Sequence, residues 1–122
     1  MSKSIYQHVM EHGGITIEPS TRTPIKPSEG YFVSLEGHEK RFSIIEDEYI
    51  FQAYLDRHID RARHYERTTG VNAYVGLWLN DGEIFFDVSL LIKDYPTALE
   101  FGNLNNQLAI FDIANNSVIT LK

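Results

Sequence analysis

Between Tyr74 and Ser89 the chain alternates aliphatic and aromatic or polar residues on both sides of Asp81-Gly82. A period of two marks β-strands, and Asp-Gly between two such runs is the composition of a two-residue type I′ hairpin, whose central residues both need positive φ. The turn sets the register. Leu79 faces Ile84, Leu77 faces Phe86 and Val75 faces Val88 on a core side, while Trp78 faces Phe85, Gly76 faces Asp87 and Tyr74 faces Ser89 on the other.

A different period precedes this hairpin. Phe51, Tyr54, Leu55, His58, Ile59, Ala62 and Tyr65 recur at three- and four-residue steps, which predicts a long helix from Asp47 to about Thr68 with one apolar face. The acidic run Glu46-Asp47-Glu48 suits the positive end of its dipole, and Gly70 follows its end. Ser4 to His12 reads as a short first helix capped by Ser4 and stopped by Gly13-Gly14, with Ile15 to Ile17 as a strand after it. Ser20 to Gly30 reads as an irregular loop. Tyr31–Leu35 and Arg41–Ile45 read as two strands of a hairpin turning at Gly37. Asp94 or Tyr95 begins a third helix that holds Pro96 in its first turn and ends near Gly102 or Asn105; Gln107–Ile113 and Val118–Leu121 form a closing hairpin around Asn115-Asn116. The sum is a single α+β domain over 1–122: a mainly antiparallel sheet of five to seven strands with one long and two short helices.

Composition narrows the function classes. The 122 residues contain no Cys, which removes thiolate chemistry, and no apolar stretch is long enough to span a bilayer, so a cytoplasmic protein without membrane contact is expected. The net charge is −6. Duplex nucleic acid and anionic lipid both call for a cationic footprint, so nucleic acid is a disfavoured partner. The charge is uneven: after Arg67 only Lys93 and Lys122 stand against Asp81, Glu83, Asp87, Asp94, Glu100 and Asp112. An acidic half of this kind steers toward a basic protein partner, or serves solubility alone.

Three constellations carry candidate chemistry. His8-Val9-Met10-Glu11-His12 has the H-x-x-E-H spacing of inverted zinc hydrolases, with both imidazoles on one helix face and Glu11 placed to act as base. The helix is short and terminal and no third ligand is evident, so helix-end histidines favourable to the dipole are the competing reading, and no metal or cofactor is assigned. Arg57, Arg61 and Arg63 form a basic patch that could grip phosphate or an acidic group; Asp56, Asp60 and Glu66 interleave with it, as on a salt-bridged solvated face. The Tyr74/Trp78/Phe85 face has three uses open to it: cover by a helix, contact with a partner or a second copy, or a small-molecule pocket in which Gly76 leaves a notch over Asp87. Asp87 and Asp112 could also be assembled into a carboxylate pair by folding. No phosphate-loop or dinucleotide glycine motif occurs.

Tyr74-Val75-Gly76-Leu77-Trp78, Ile84 to Ser89, Ala98-Leu99 and Asn106 to Asp112 resemble small uncharacterised proteins encoded by phages and other mobile elements, over roughly residues 71–113. The resemblance implies a setting in which small acidic proteins bind and block a host defence or regulatory protein, and it assigns no catalytic residue. The expectation is therefore a non-enzymatic protein-binding module that meets a host protein, or a second copy in a homodimer, through Tyr74, Trp78, Phe85, Asp87 and Glu83. The alternatives are a metal-dependent hydrolase at His8, Glu11 and His12, and a nucleic-acid accessory protein using the Arg57–Arg67 helix.

Overall fold

The computed structural model describes residues 4–35, 40–43 and 48–121, with 40–43 as backbone. Its elements run α1 (Ile5–His12), β1 (Gly14–Glu18), β2 (Thr23–Pro24), β3 (Tyr31–Ser34), β4 (Lys40–Ser43), α2 (Glu48–Thr69), β5 (Ala73–Asn80), β6 (Glu83–Ile92), α3 (Tyr95–Leu104), β7 (Ala109–Asp112) and β8 (Ser117–Thr120). The strands form one antiparallel sheet in the order β2-β1-β5-β6-β3-β7-β8, and β4 also pairs with β6. The α+β class is as expected, with one long helix and two short ones.

The central hairpin has the predicted register at every pair from Tyr74↔Ser89 to Leu79↔Ile84. Asp81 (φ 50°) and Gly82 (φ 75°) supply the two left-handed residues that the turn demands. The predicted hairpin of Tyr31–Leu35 with Arg41–Ile45 does not form. β3 pairs with β6 at Tyr31↔Ile92 to Ser34↔Ser89, and β4 pairs with β6 at Lys40↔Phe86 to Ser43↔Glu83. Two segments that are both antiparallel to β6 run in the same direction, so they follow one another along its edge instead of folding back on each other. The Gly37 turn, Ile44-Ile45 and the helix start at Glu46-Asp47 lie outside the described residues. Thr23-Pro24, inside the expected loop, pairs with Ile17 and Glu18 as a short edge strand.

All three helices pack on the same side of the sheet. The core holds Val9 of α1, Phe51, Leu55, Ile59 and Ala62 of α2 and Ala98 of α3 against Ile17, Val33, Val75, Leu77, Ile84, Phe86, Val88, Leu90 and Ile110. Phe86 is its hub: the rings of Phe51, Tyr54 and His58 lie 5.3, 6.1 and 5.1 Å from it. Burying aromatic rings of this size contributes roughly 1.5–3 kcal/mol each. His58 is tolerated there because its Nδ1 donates to the Tyr54 carbonyl at 2.7 Å, which turns the polar ring edge toward the backbone and leaves the face for Phe86.

The helix ends follow local chemistry. Ser4 accepts from the Gln7 N–H, Gln7 accepts from the Ser4 N–H, and Gly13 closes α1 in the left-handed region at φ 83°. Asp94 caps α3 by accepting from the Thr97 N–H at 3.0 Å and from its hydroxyl at 2.5 Å. Those two bonds, the hydroxyl's first, hold the Asp94 carboxyl below its ordinary range. Among the described residues no helix is long and apolar enough to cross a membrane.

Candidate functional site

With the helices on one side, the other side of the sheet has no helical cover among the described residues. The alternation of β5 and β6 places Tyr74, Gly76 and Trp78 there beside Ser89, Asp87 and Phe85. All of them but Phe85, which lies beneath Trp78, floor an open trough of about 1100 Å³. Ile25, Lys26 and Pro27 form one rim, anchored where the Ile25 N–H donates to the Thr16 carbonyl at 2.9 Å. Phe111 and Val118 of β7 and β8 form the other rim, and Phe32 of β3 lies between.

The aromatic residues are not equivalent. Phe85 is only 8% exposed, because the Trp78 ring stacks on it at 4.4 Å with 16° between the planes, whereas Trp78 itself is 46% exposed. Gly14 of β1 is the neighbour of Trp78 on its other side. Tyr74 is 7% exposed and meets Phe32 edge-on at 6.0 Å. Its burial, with the charges of Glu18 and Glu66 adding to the effect, raises the phenol pKa above its ordinary value, so Tyr74 keeps its proton.

A polar cluster lies in the middle of this apolar surface. Ser34 Oγ donates to Asp87 Oδ2 at 2.7 Å, and Ser89 Oγ donates to the same oxygen at 3.1 Å. Across the strand pair from Asp87 stands Gly76, and nothing lies within 4 Å of the position its Cβ would take. The missing side chain opens the trough over the carboxylate, which is the notch read from the sequence. Hydroxyls that point into one carboxylate fix its orientation, and the cluster presents charge and hydrogen-bonding groups at the foot of aromatic walls.

Of the expected contact residues, Tyr74, Trp78, Phe85 and Asp87 therefore come together on one face. Glu83 lies on the same face at the hairpin end, opposite Asn80. Arg57, Arg61 and Arg63 are exposed on α2, on the helical side and apart from the trough. The acidic partner of this region, Asp56, accepts instead from Arg22 Nη1 at 2.7 Å. His8 and His12 lie one turn apart with ring centroids 4.6 Å from each other, and Glu11 approaches His12 at 4.0 Å. Among the described residues no group of three or more His, Cys, Asp or Glu side chains is placed to hold a metal ion.

Asp87 and Asp112 are not brought together. Asp112 pairs in register with Tyr31, on the helical side, and accepts from Asn115 Nδ2 at 2.8 Å to brace the β7–β8 turn. Sequence reasoning missed Phe32, Ser34, Phe111 and Val118 as trough residues. The alternation of Tyr31 to Leu35 carries the signal for the first two, since it separates Phe32 and Ser34 from Tyr31, Val33 and Leu35, yet it shows nothing until β3 is placed against β6.

No family model, curated protein or solved structure matches the chain.

Proposed function

We propose that this chain is a non-enzymatic protein-binding module whose contact surface is the helix-free face of the sheet. The occupant of the trough is an extended partner segment that presents apolar side chains beside a basic one. The observation that carries the reading is the exposed Trp78 stacked on Phe85 at the mouth of a trough whose floor holds Asp87 opposite Gly76. Aromatic anchors in concave surfaces dominate interface energies, and a protein of net charge −6 favours a basic partner both in encounter and in pairing. Glu83, Phe85 and Asp87 form one row on this face, so acidic groups flank the aromatic anchor; Lys26 at the rim confines the basic contact to that row. The resemblance of residues 71–113 to phage and mobile-element proteins adds the setting of an inhibitor or accessory factor that acts on a host defence or regulatory protein.

The test uses the full chain and defined probes. Extended peptides with one Arg flanked by Leu and Phe are titrated while the emission of Trp78 is followed, beside the same peptides with Glu in place of Arg. Saturable binding of the Arg series, weakened by salt and lost in Gly76→Leu, is the expected result. Equal binding of both series, or unchanged binding by Gly76→Leu, overturns the reading.

A further inference from the structure

The two edges of the sheet are built differently. At one edge β2 is two residues long and contains Pro24, which has no N–H to offer a neighbouring strand. At the other, β8 runs Ser117-Val118-Ile119-Thr120 with neither proline nor charge, and three of its residues are β-branched. The Leu121 N–H donates inward to the Leu108 carbonyl at 2.8 Å, and in an antiparallel ladder the inward residues recur every second position. Ile119 thus bonds toward β7, and the N–H and C=O groups of Val118 and Thr120 point away from the sheet.

Apolar side chains collect at this same edge. Val118, Leu108 and Leu104 are 67%, 71% and 73% exposed. Leu104 ends α3, whose last turn reaches the residue that follows β8: a Cβ at Gly102 would stand 2.5 Å from Leu121 Cδ1.

We infer that β8 is a self-association edge that pairs antiparallel with β8 of a second copy of this chain. An unprotected edge is a template for another copy of itself, and charge permits that occupant here. Two copies of net charge −6 repel, so an association between them needs a neutral seam, and the segment from Ile113 to Leu121 carries no charged side chain. The pairing is self-complementary about a twofold axis that runs midway between the Ile119 residues of the two copies and normal to the sheet. Val118 exchanges both backbone bonds with Thr120 of the second copy, and the reverse pair does the same. This axis keeps the helices of both copies on one side and joins their helix-free faces into one surface. A four-residue edge with a few flanking apolar side chains stands at the small end of specific interfaces, so the dimer is a weak one that builds up with concentration. The inference is independent of what fills the trough.

Sedimentation equilibrium over a range of concentrations, with backbone amide exchange at each, tests it. The expected result is a monomer–dimer equilibrium in which the amides of Val118 and Thr120 gain protection as dimer forms, while those of Ile119 and Leu121, already bonded to β7, do not change. Val118→Pro removes an outward N–H and leaves the β7 ladder intact; it weakens the dimer at least about tenfold. Thr120→Lys, which places like charges across the seam, does the same and serves if the proline variant does not fold. A monomer at every concentration, a dimer indifferent to both variants, or protection confined to the Trp78 strand overturns the inference.

Discussion

Gly76 stands directly across the β5–β6 ladder from Asp87, with no atom within 4 Å of where its Cβ would be. A glycine in the middle of a central strand weakens that strand, and here neither a positive φ nor a close approach requires it. The space above it is what the glycine provides. Gly76→Val therefore raises stability by about 0.5–1 kcal/mol, since a β-branched residue suits an open strand position, and at the same time fills the trough. Thermal unfolding reads the first effect and peptide titration the second. A variant that unfolds earlier than the parent shows that the position is not open, and one that is stabilised yet binds normally shows that the trough is not the contact surface.

Trp78 is the single Trp of the chain, so tryptophan emission, excited beyond the absorption of the seven Tyr, reports on the trough alone. Half-exposed as it is, its emission is quenched by acrylamide in the free protein and shielded when a partner segment seats. Trp78→Ala uncovers Phe85 and forfeits a stacked pair, worth about 0.5–1.5 kcal/mol of stability beyond the area term. As an interface anchor it costs at least about 2 kcal/mol of binding, about thirtyfold in Kd. A binding loss no larger than the stability loss would reduce Trp78 to a lid on Phe85.

The parts of this fold that were legible share one property: their signals are local. Asp81-Gly82 dictates a turn from two residues, and from that turn the partners of Tyr74 to Leu79 follow by counting. The apolar stripe from Phe51 to Tyr65 marks the buried side of α2 in the same way, down to the buried His58. What failed was pairing at a distance. Ser34 meets Asp87 across 53 positions of sequence, and no residue near β3 or β4 announces that both lie along β6 instead of along each other. Whether a helix covers the Tyr74–Trp78 face was illegible for a related reason. The stripe of a helix says which of its sides is buried, and it is silent on which side of a sheet receives it.

Arg22 and Asp56 tie the β1–β2 turn to α2 through a 2.7 Å contact between half-exposed side chains. The Arg22 hydrogen bond holds the Asp56 carboxyl below its ordinary value. A carboxylate whose folded pKa is lowered stabilises the fold fully above its unfolded pKa of about 4, and that stabilisation disappears as pH falls through the lowered folded value. Glu18, held down by the Ser20 and Thr21 hydroxyls, acts in the same direction. Arg22→Ala accordingly destabilises at pH 7 by under about 1 kcal/mol, because solvent screens an exposed pair, and the deficit closes in acid. Arg22 also sits at φ 58°, a conformation glycine adopts without strain, so Arg22→Gly loses the same ion pair but less stability than Arg22→Ala. Urea unfolding of both variants at pH 7 and pH 3 checks the order; a deficit equally large at both pH values removes the ion pair as its cause.

Gly102, in the last turns of α3, is a glycine required by closeness. A Cβ there would stand 2.5 Å from Leu121 Cδ1 and 3.0 Å from Ile110 Cγ2. Leu121 can swing aside, but Ile110 is 2% exposed and β-branched, so its methyl is fixed by the core around it. Two effects oppose each other in Gly102→Ala: helix propensity favours alanine by about 1 kcal/mol, and overpacking costs about 1–3 kcal/mol. The fixed Ile110 decides the sign, and a net loss is expected, largest at the docking of α3 on β7. Ile110→Val does not relieve it, because valine retains the Cγ2 methyl, whereas Ile110→Ala in the Gly102→Ala background restores part of the loss relative to additivity. A double-mutant cycle in chemical unfolding measures that coupling, and a cycle that closes to zero would place the strain on Leu121 instead.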